Sequence, residues 1–309
     1  MAQTSGRFAR LIEATRPLDP IPAAVVHPVD GRSLAGAAQA ARETLIEPIL
    51  VGPEAKIRAA AQDAGQDIDG FQIVDAPHSH AAASAAVRLV REGQAQALMK
   101  GALHTDEVMS AVIDADTGLR TERRVSHVFV MDVATYPKLL LITDAAINIY
   151  PTLDDKRDIV QNAIDLGRAL GIEAPKVAIL SAVETVYPKI PSTVEAAALC
   201  KMADRGQITG GILDGPLAFD NAISVEAAEA KGITSAVAGD ADILMVPDLE
   251  AGNMLAKQLD YLADAQAAGI VLGARVPIML TSRADGAASR VVSCAIAQLY
   301  VHHHIKAAS

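Results

Sequence analysis

Short apolar runs alternate with longer segments of helical period along this chain, and that alternation constrains its fold more than any other feature. "AAVV" at 23–26, "PILVG" at 48–52, "FQIV" at 71–74 and "ALM" at 97–99 read as strands. Between them lie Ala-rich stretches such as 34–47 and 81–92, polar on one face, with Gly or Pro at most junctions. Runs this short and this apolar cannot leave one face in water. They fit parallel strands covered by helices on both sides, an α/β fold.

The rhythm breaks in the middle. "SHVFVMDV" (126–133) and "LLLITDAA" (139–146) are separated only by "ATYPK". That gap is too short for a helical crossover, so the two runs are expected to pair as an antiparallel hairpin. A hairpin inserted in an α/β pattern marks a second domain, and 309 residues suit two. The βα pattern then resumes. It gives a helix at 154–170, "KVAIL" (176–180), a helix at 192–205, "GGILDG" (210–215), a helix at 222–231, "DILMVP" (242–247) and a helix at 251–265. "GIVLG" (269–273), "VPIML" (276–280) and a final helix near 286–302 complete it.

Composition narrows the function. Aromatics are 3% and Trp is absent, so Ala, Val, Ile and Leu must build the core. The net charge of -10 lacks the basic footprint of a nucleic-acid binder. Cys200 and Cys294 have no CxxC spacing, which argues against a thiolate metal site and for a reducing cytoplasm. No apolar run approaches the ~20 residues that a membrane helix needs.

In open α/β sheets ligands sit beyond the carboxyl ends of the strands. The residues leaving each run there are Lys100-Gly101 and His104-Thr105; Asp144 and Asn148; Ser181 and Glu184; Asp214; Asp248, Glu250 and Asn253; and Ser282-Arg283. In "MKGALHTDEVM" (99–109), Gly101 permits a tight turn, and Thr105 reads as the cap of a helix with Asp106 and Glu107 in its first turn. The alternative is an anion held by Lys100 and free amides at that helix start. "GLRTERRVSH" (118–127) carries the densest basic patch, Arg120, Arg123 and Arg124. Such a patch is either a solvated face or a phosphate contact. "HHH" at 302–304 reads as a solvated terminus. In "VPIMLTSRADGAASR" (276–290), Ser282-x-x-Asp285 fits a capping box. Arg283 then opposes the helix dipole, a conflict that a bound anion would remove.

The blocks "KGALHT", "HVFVMDV", "ITDAAINIYPT", "VAILSAVET", "GGILDGPLAFDNAIS", "ADILMVPDLEAGNMLAK" and "IMLTSRAD" resemble, in order, those of the phosphate acetyltransferase/phosphate butyryltransferase family. The resemblance covers essentially the whole chain. It is closest to the acyltransferase half of bifunctional enoyl-CoA hydratase/phosphate acetyltransferase proteins. It implies transfer of an acetyl or short-chain acyl group between coenzyme A and inorganic phosphate, with coenzyme A as substrate and no cofactor or metal. It also implies a two-domain fold like isocitrate and isopropylmalate dehydrogenases, a site in the interdomain cleft, and a homodimer. The expected domains are 1–131 plus 269–309, and 132–268.

Carried over residue by residue, Ser282 would donate to the developing oxyanion and Arg283 would hold phosphate. Arg120 would be the second arginine. His104 and Thr105 would line the phosphate side, and Asn148 and Asn253 would orient groups. Three positions depart from the family. Its proposed base aspartate falls at Ser289, with Asp285 the nearest substitute. Its cysteine is Ala145, and its arginine after the His-Thr block is Ser110. A free thiol, pKa ~8.5, is already slightly ionised at neutral pH, so loss of the aspartate does not forbid the reaction. The departures motivate a second reading, a non-catalytic (acyl-)CoA-binding sensor or hydratase partner.

Overall fold

The structure is a computed structural model that describes residues 6–280 and 286–308. Ser282, Arg283 and Asp285 therefore lie outside the described residues. The chain divides into two compact units, Met1–Arg123 with Ala268–Ser309, and Arg124–Ala267.

The first unit opens with α1 (Gly6–Thr15), β1 (Ile21–Val26), α2 (Gly31–Arg42), β2 (Ile46–Gly52), α3 (Glu54–Asp63) and β3 (Gln72–Asp75). α4 (Ser79–Arg91), β4 (Ala97–Lys100) and α5 (Thr105–Val112) follow. The second unit contains β5 (Ser126–Asp132), β6 (Leu140–Thr143), α6 (Leu153–Ala169), β7 (Lys176–Leu180), α7 (Pro191–Asp204) and β8 (Ile212–Leu217). It continues with α8 (Phe219–Ile223), α9 (Val225–Ala230), β9 (Ile243–Met245) and α10 (Leu249–Leu262). The chain then returns to the first unit through β10 (Gln266–Leu272), β11 (Ile278–Met279) and α11 (Ala287–Ala308).

The strand order in the first unit is β3-β2-β1-β4-β11-β10. Its strands are parallel except β10, which runs antiparallel to β11 with Ile270 opposite Met279. Val25, Val26, Leu98 and Val271 are wholly buried, as helix cover on both faces requires. α4 packs against β1 and β2, and α11 packs against α1 and α2. In the second unit the order is β5-β6-β9-β7-β8. β5 and β6 form the expected antiparallel hairpin, with Val128 opposite Thr143, and the other pairs are parallel.

Three local readings change, and that of the triple histidine gains a contact. The stretch at 222–231 is two helices, because Ser224 ends α8 and its side chain accepts from the Ala227 amide to cap α9. The residues between "GIVLG" and "VPIML" turn a second hairpin, β10–β11, so the return to the first unit is antiparallel. The triple histidine lies within α11, where the His302 ring bonds the Asp19 carbonyl at 2.8 Å. The cap of α5 is His104, not Thr105, because the Glu107 carboxylate turns back onto the His104 amide at 3.2 Å. Among the described residues no helix is long and apolar enough to cross a membrane.

The turn after β4 fixes where the first unit presents its polar residues. The Gly101 amide donates to the Val26 carbonyl and the Ala102 amide to that of His27, each at 2.9 Å. A Cβ on Gly101 would stand 2.4 Å from the Val26 carbonyl oxygen. Two backbones approach so closely that only glycine fits. Gly101→Ala is expected to destabilise the protein by about 1–3 kcal/mol, the usual cost of overpacking, measured by denaturant unfolding. Unchanged stability would mean that the turn tolerates a side chain.

Candidate active site

In the first unit Lys100 stands level with Val26, and Met279 with Met99. β1, β4 and β11 therefore end together at one edge of the unit. Lys100 is buried and Leu103 plugs the turn. Together they deliver His104 to the start of α5 with its imidazole exposed and Thr105 half-buried behind it. Asp106 and Glu107 occupy the first turn, where carboxylates complement the helix dipole. A hydrogen bond from the Ser79 side chain, helped by the His104 amide, holds the Glu107 carboxyl below its ordinary range. The candidate residues His104 and Thr105 are thus mounted on a helix start whose first-turn carboxylates already complement its dipole.

Arg290 was not singled out from the sequence, yet it is buried at the same edge. Its guanidinium donates to the Lys100 carbonyl at 3.3 Å. With Asp30, Gly31, Arg32, Gly101 and Ala102 it lines a cavity of about 710 Å³. The available signal was a single charged residue opening the otherwise apolar "VVSCAIA" stretch of the last helix. Arg120 is exposed, and its backbone bridges antiparallel to Ala274. Its guanidinium has no hydrogen-bond or ion-pair partner among the described residues. Ser110, at the family arginine position, is exposed on α5 and faces a groove shared with Arg88, Arg91 and Asp114.

The second unit builds its polar cluster on the loop after β6. Asp144 is buried, and its carboxylate gathers the loop around itself. It accepts from the amides of Ala146 (2.9 Å), Ile147 (3.1 Å) and Asn148 (3.2 Å), and from the Asn148 side chain at 2.6 Å. Burial raises its pKa, and these donors oppose the rise. The Asn148 amide group also donates to the Val125 carbonyl at 2.9 Å, and its oxygen accepts from Arg124 Nε at 2.7 Å. Asn148 is therefore engaged at both ends by protein. Asn253, on α10, donates to the Ala145 carbonyl at 3.2 Å and ties the helix to this loop. A Cβ on Gly252 would sit 3.0 Å from both Ala145 Cβ and the Asp144 carbonyl oxygen. Close helix approach therefore sets the small size of the residue pair. Elsewhere on the strand ends, Ser181 bonds Ser192 at 2.8 Å, and Glu184 pairs with Lys231 at 3.2 Å.

The profile of the family described as Phosphate acetyl/butaryl transferase matches residues 79–298. A phosphate acetyltransferase of Rhizobium meliloti is 65% identical over 294 residues, covering 95% of this chain and 93% of that protein. A phosphate butyryltransferase of Clostridium acetobutylicum is 45% identical over 260 residues, covering 84% and 86%. Among solved structures, a branched-chain phosphotransacylase from Enterococcus faecalis V583 aligns with a TM-score of 0.80 at 32% identity, over 92% of this chain and all of that one.

The thiols are held away from chemistry. Cys200 and Cys294 are both free, and burial pushes each thiol up to about 12, with Asp214 adding to the effect at Cys200. Neither is a thiolate nucleophile at neutral pH. A disulfide reagent at mildly alkaline pH is expected to label the native protein far more slowly than the denatured one. The fold keeps both protons. That stabilisation is whole below the unperturbed thiol value of 9.0 and is lost as pH rises towards about 12. Fast native labelling would contradict the burial.

Proposed function

The chain belongs to the Phosphate acetyl/butaryl transferase family, and from that premise we propose the reaction and the residues that carry it out. The protein is a phosphate acyltransferase. It moves an acetyl or short-chain acyl group between coenzyme A and inorganic phosphate. The observation that carries this is the 65% identity to a phosphate acetyltransferase across 95% of the chain.

In the direction of acyl-CoA synthesis, the CoA thiolate attacks the acyl-phosphate carbonyl. The C–S bond forms, the bond from carbonyl carbon to phosphate oxygen breaks, and phosphate leaves. Negative charge gathers on the carbonyl oxygen in between. Ser282 donates to that oxygen and Arg283 holds phosphate, with Arg120 as a second cation. Donors aimed at developing charge are usually the largest catalytic contribution. Asp285 is the residue we assign to take the thiol proton, since the position of the family aspartate holds Ser289 here. His104 and Thr105, carried by the start of α5, line the phosphate side. Asn253 holds the Asp144–Asn148 loop. Asn148 contributes through the groups it orients, since both ends of its amide are engaged. The reaction needs no metal or cofactor, and much of its rate comes from positioning two substrates, worth up to ~7–11 kcal/mol in ideal cases.

The reading extends to a cytoplasmic homodimer. Two free thiols suit a reducing compartment. Ile149, Tyr150, Met254, Tyr261 and Leu262 are exposed, and the Leu249 amide at the start of α10 bonds the Ile149 carbonyl, so apolar groups accumulate along α10. Such a face supports pairing of two copies. Leu262→Glu is expected to shift a dimer to monomer in sedimentation equilibrium, and a wild-type monomer would refute the pairing.

Release of CoA thiol from acetyl-, propionyl- and butyryl-CoA is expected only with phosphate present. Arg283→Ala is expected to cut kcat/KM by roughly 100-fold or more, as loss of an electrostatic donor does. Tight acyl-CoA binding without turnover would instead favour a sensor.

A further inference from the structure

We propose that Arg124 is the residue of the second unit that grips the phosphoryl group, and that Asn148 and Asp144 are positioning residues that aim it. This rests on the acyl-phosphate reading above. β5 runs antiparallel to β6, with Val128 opposite Thr143. Residues just before Ser126 therefore lie past Thr143, at the carboxyl end of β6. Thr143 is level with Met245 of β9, and Met245 with Ile179 of β7. Arg124 thus stands at the ligand-binding end of this unit's parallel strands.

Its backbone is fixed on both sides. The Arg124 amide donates to Asp158 at 2.9 Å, and its carbonyl accepts from Asn162 at 2.9 Å. Its side chain is fixed at one atom. Nε donates to Asn148 Oδ1 at 2.7 Å, and Asn148 is held by the Val125 carbonyl and the buried Asp144 carboxylate. The nearest carboxylate oxygen is that of Asp155, 3.5 Å from Nε. With Nε committed, the edge carrying the two Nη groups points away from the anchor, and 55% of the side chain is exposed. Two parallel N–H donors on a rigid plane match two oxygens of a phosphate. The cost of ordering the side chain is met before the ligand arrives. Arg120 has no comparable anchor. An arginine serving only the Asp155 ion pair would have no need of a buried carboxylate–amide chain behind its Nε.

The test is steady-state kinetics on the full-length protein with acyl-CoA and phosphate. Arg124→Ala is expected to raise the KM for phosphate roughly 10–100-fold, the loss of a charge-assisted pair of bonds, with the KM for acyl-CoA nearly unchanged. Arg124→Lys keeps the charge but loses the fork and the anchor, and is expected to recover little. Arg168→Ala, a charge-matched control at the far end of α6, is expected to leave both constants alone. Asn148→Ala is expected to raise the phosphate KM in the wild-type background and to add nothing in Arg124→Ala. The assignment is overturned if Arg124→Ala leaves the phosphate KM unchanged, if both KM values rise together, or if Arg120→Ala alone carries the loss. A wild type with no phosphate-dependent turnover would sink the acyl-transfer reading instead. Calorimetric titration with inorganic phosphate then tests Arg124 alone. Weaker binding by Arg124→Ala supports it, while equal or absent binding in both proteins overturns it.

Discussion

The central strands of each unit are buried on both faces, and that constraint decides where any polar chemistry can stand. A buried parallel strand has no room for a charged side chain along its length, so polar groups leave where the strand ends. In the first unit β1, β4 and β11 end level with one another, and His104, Thr105 and the buried Arg290 follow from that edge. In the second, β6, β9 and β7 end level, and the Asp144–Asn148 loop leaves from there. Gly101 holds the first arrangement by letting two backbones meet.

The Asp144 carboxylate organises the second edge. Removing a carboxylate from water costs several kcal/mol, and the cost is tolerable only when its oxygens are satisfied. Three loop amides and the Asn148 side chain donate to it here. Hydrogen bonds to a charged group contribute about 1.5–3 kcal/mol each, so they counter part of that burial, which still leaves the pKa raised, and they hold the loop in one shape. The loop in turn holds Asn148, and Asn148 holds Arg124. A surface ion pair such as Arg124–Asp155, worth about 0–1 kcal/mol, could not fix the guanidinium so firmly.

Much of the fold is legible in local pattern. "KVAIL" is β7 with the same ends, because the unbroken aliphatic run at 177–180, bounded by Pro175-Lys176 and a polar Ser181, has no other use. The 126–146 hairpin followed from a gap too short for a helix. The same reasoning applied to the two residues between "GIVLG" and "VPIML" would have revealed the β10–β11 hairpin. The break at Ser224 needed knowledge that its hydroxyl caps a new helix. The site was legible as a set of residue types beyond strand ends, but not as a set of bonds. Arg120 and Arg124 sit in one basic stretch, and nothing local separates them. What does is an asparagine 24 residues further on, placed by a carboxylate that only the folded loop buries. Arg290 escaped notice for a similar reason, since its burial comes from the fold around it rather than from its neighbours in sequence.

The central claim is that the acyl group passes to phosphate and not to water. The most direct measurement is phosphorus NMR of acetyl-CoA incubated with inorganic phosphate and the protein, with free CoA thiol titrated in parallel. The account predicts an acetyl phosphate resonance that grows in step with the released thiol, and its disappearance when excess CoA is added. Thiol release accompanied only by free acetate, or no phosphorus signal other than phosphate and CoA, would contradict it.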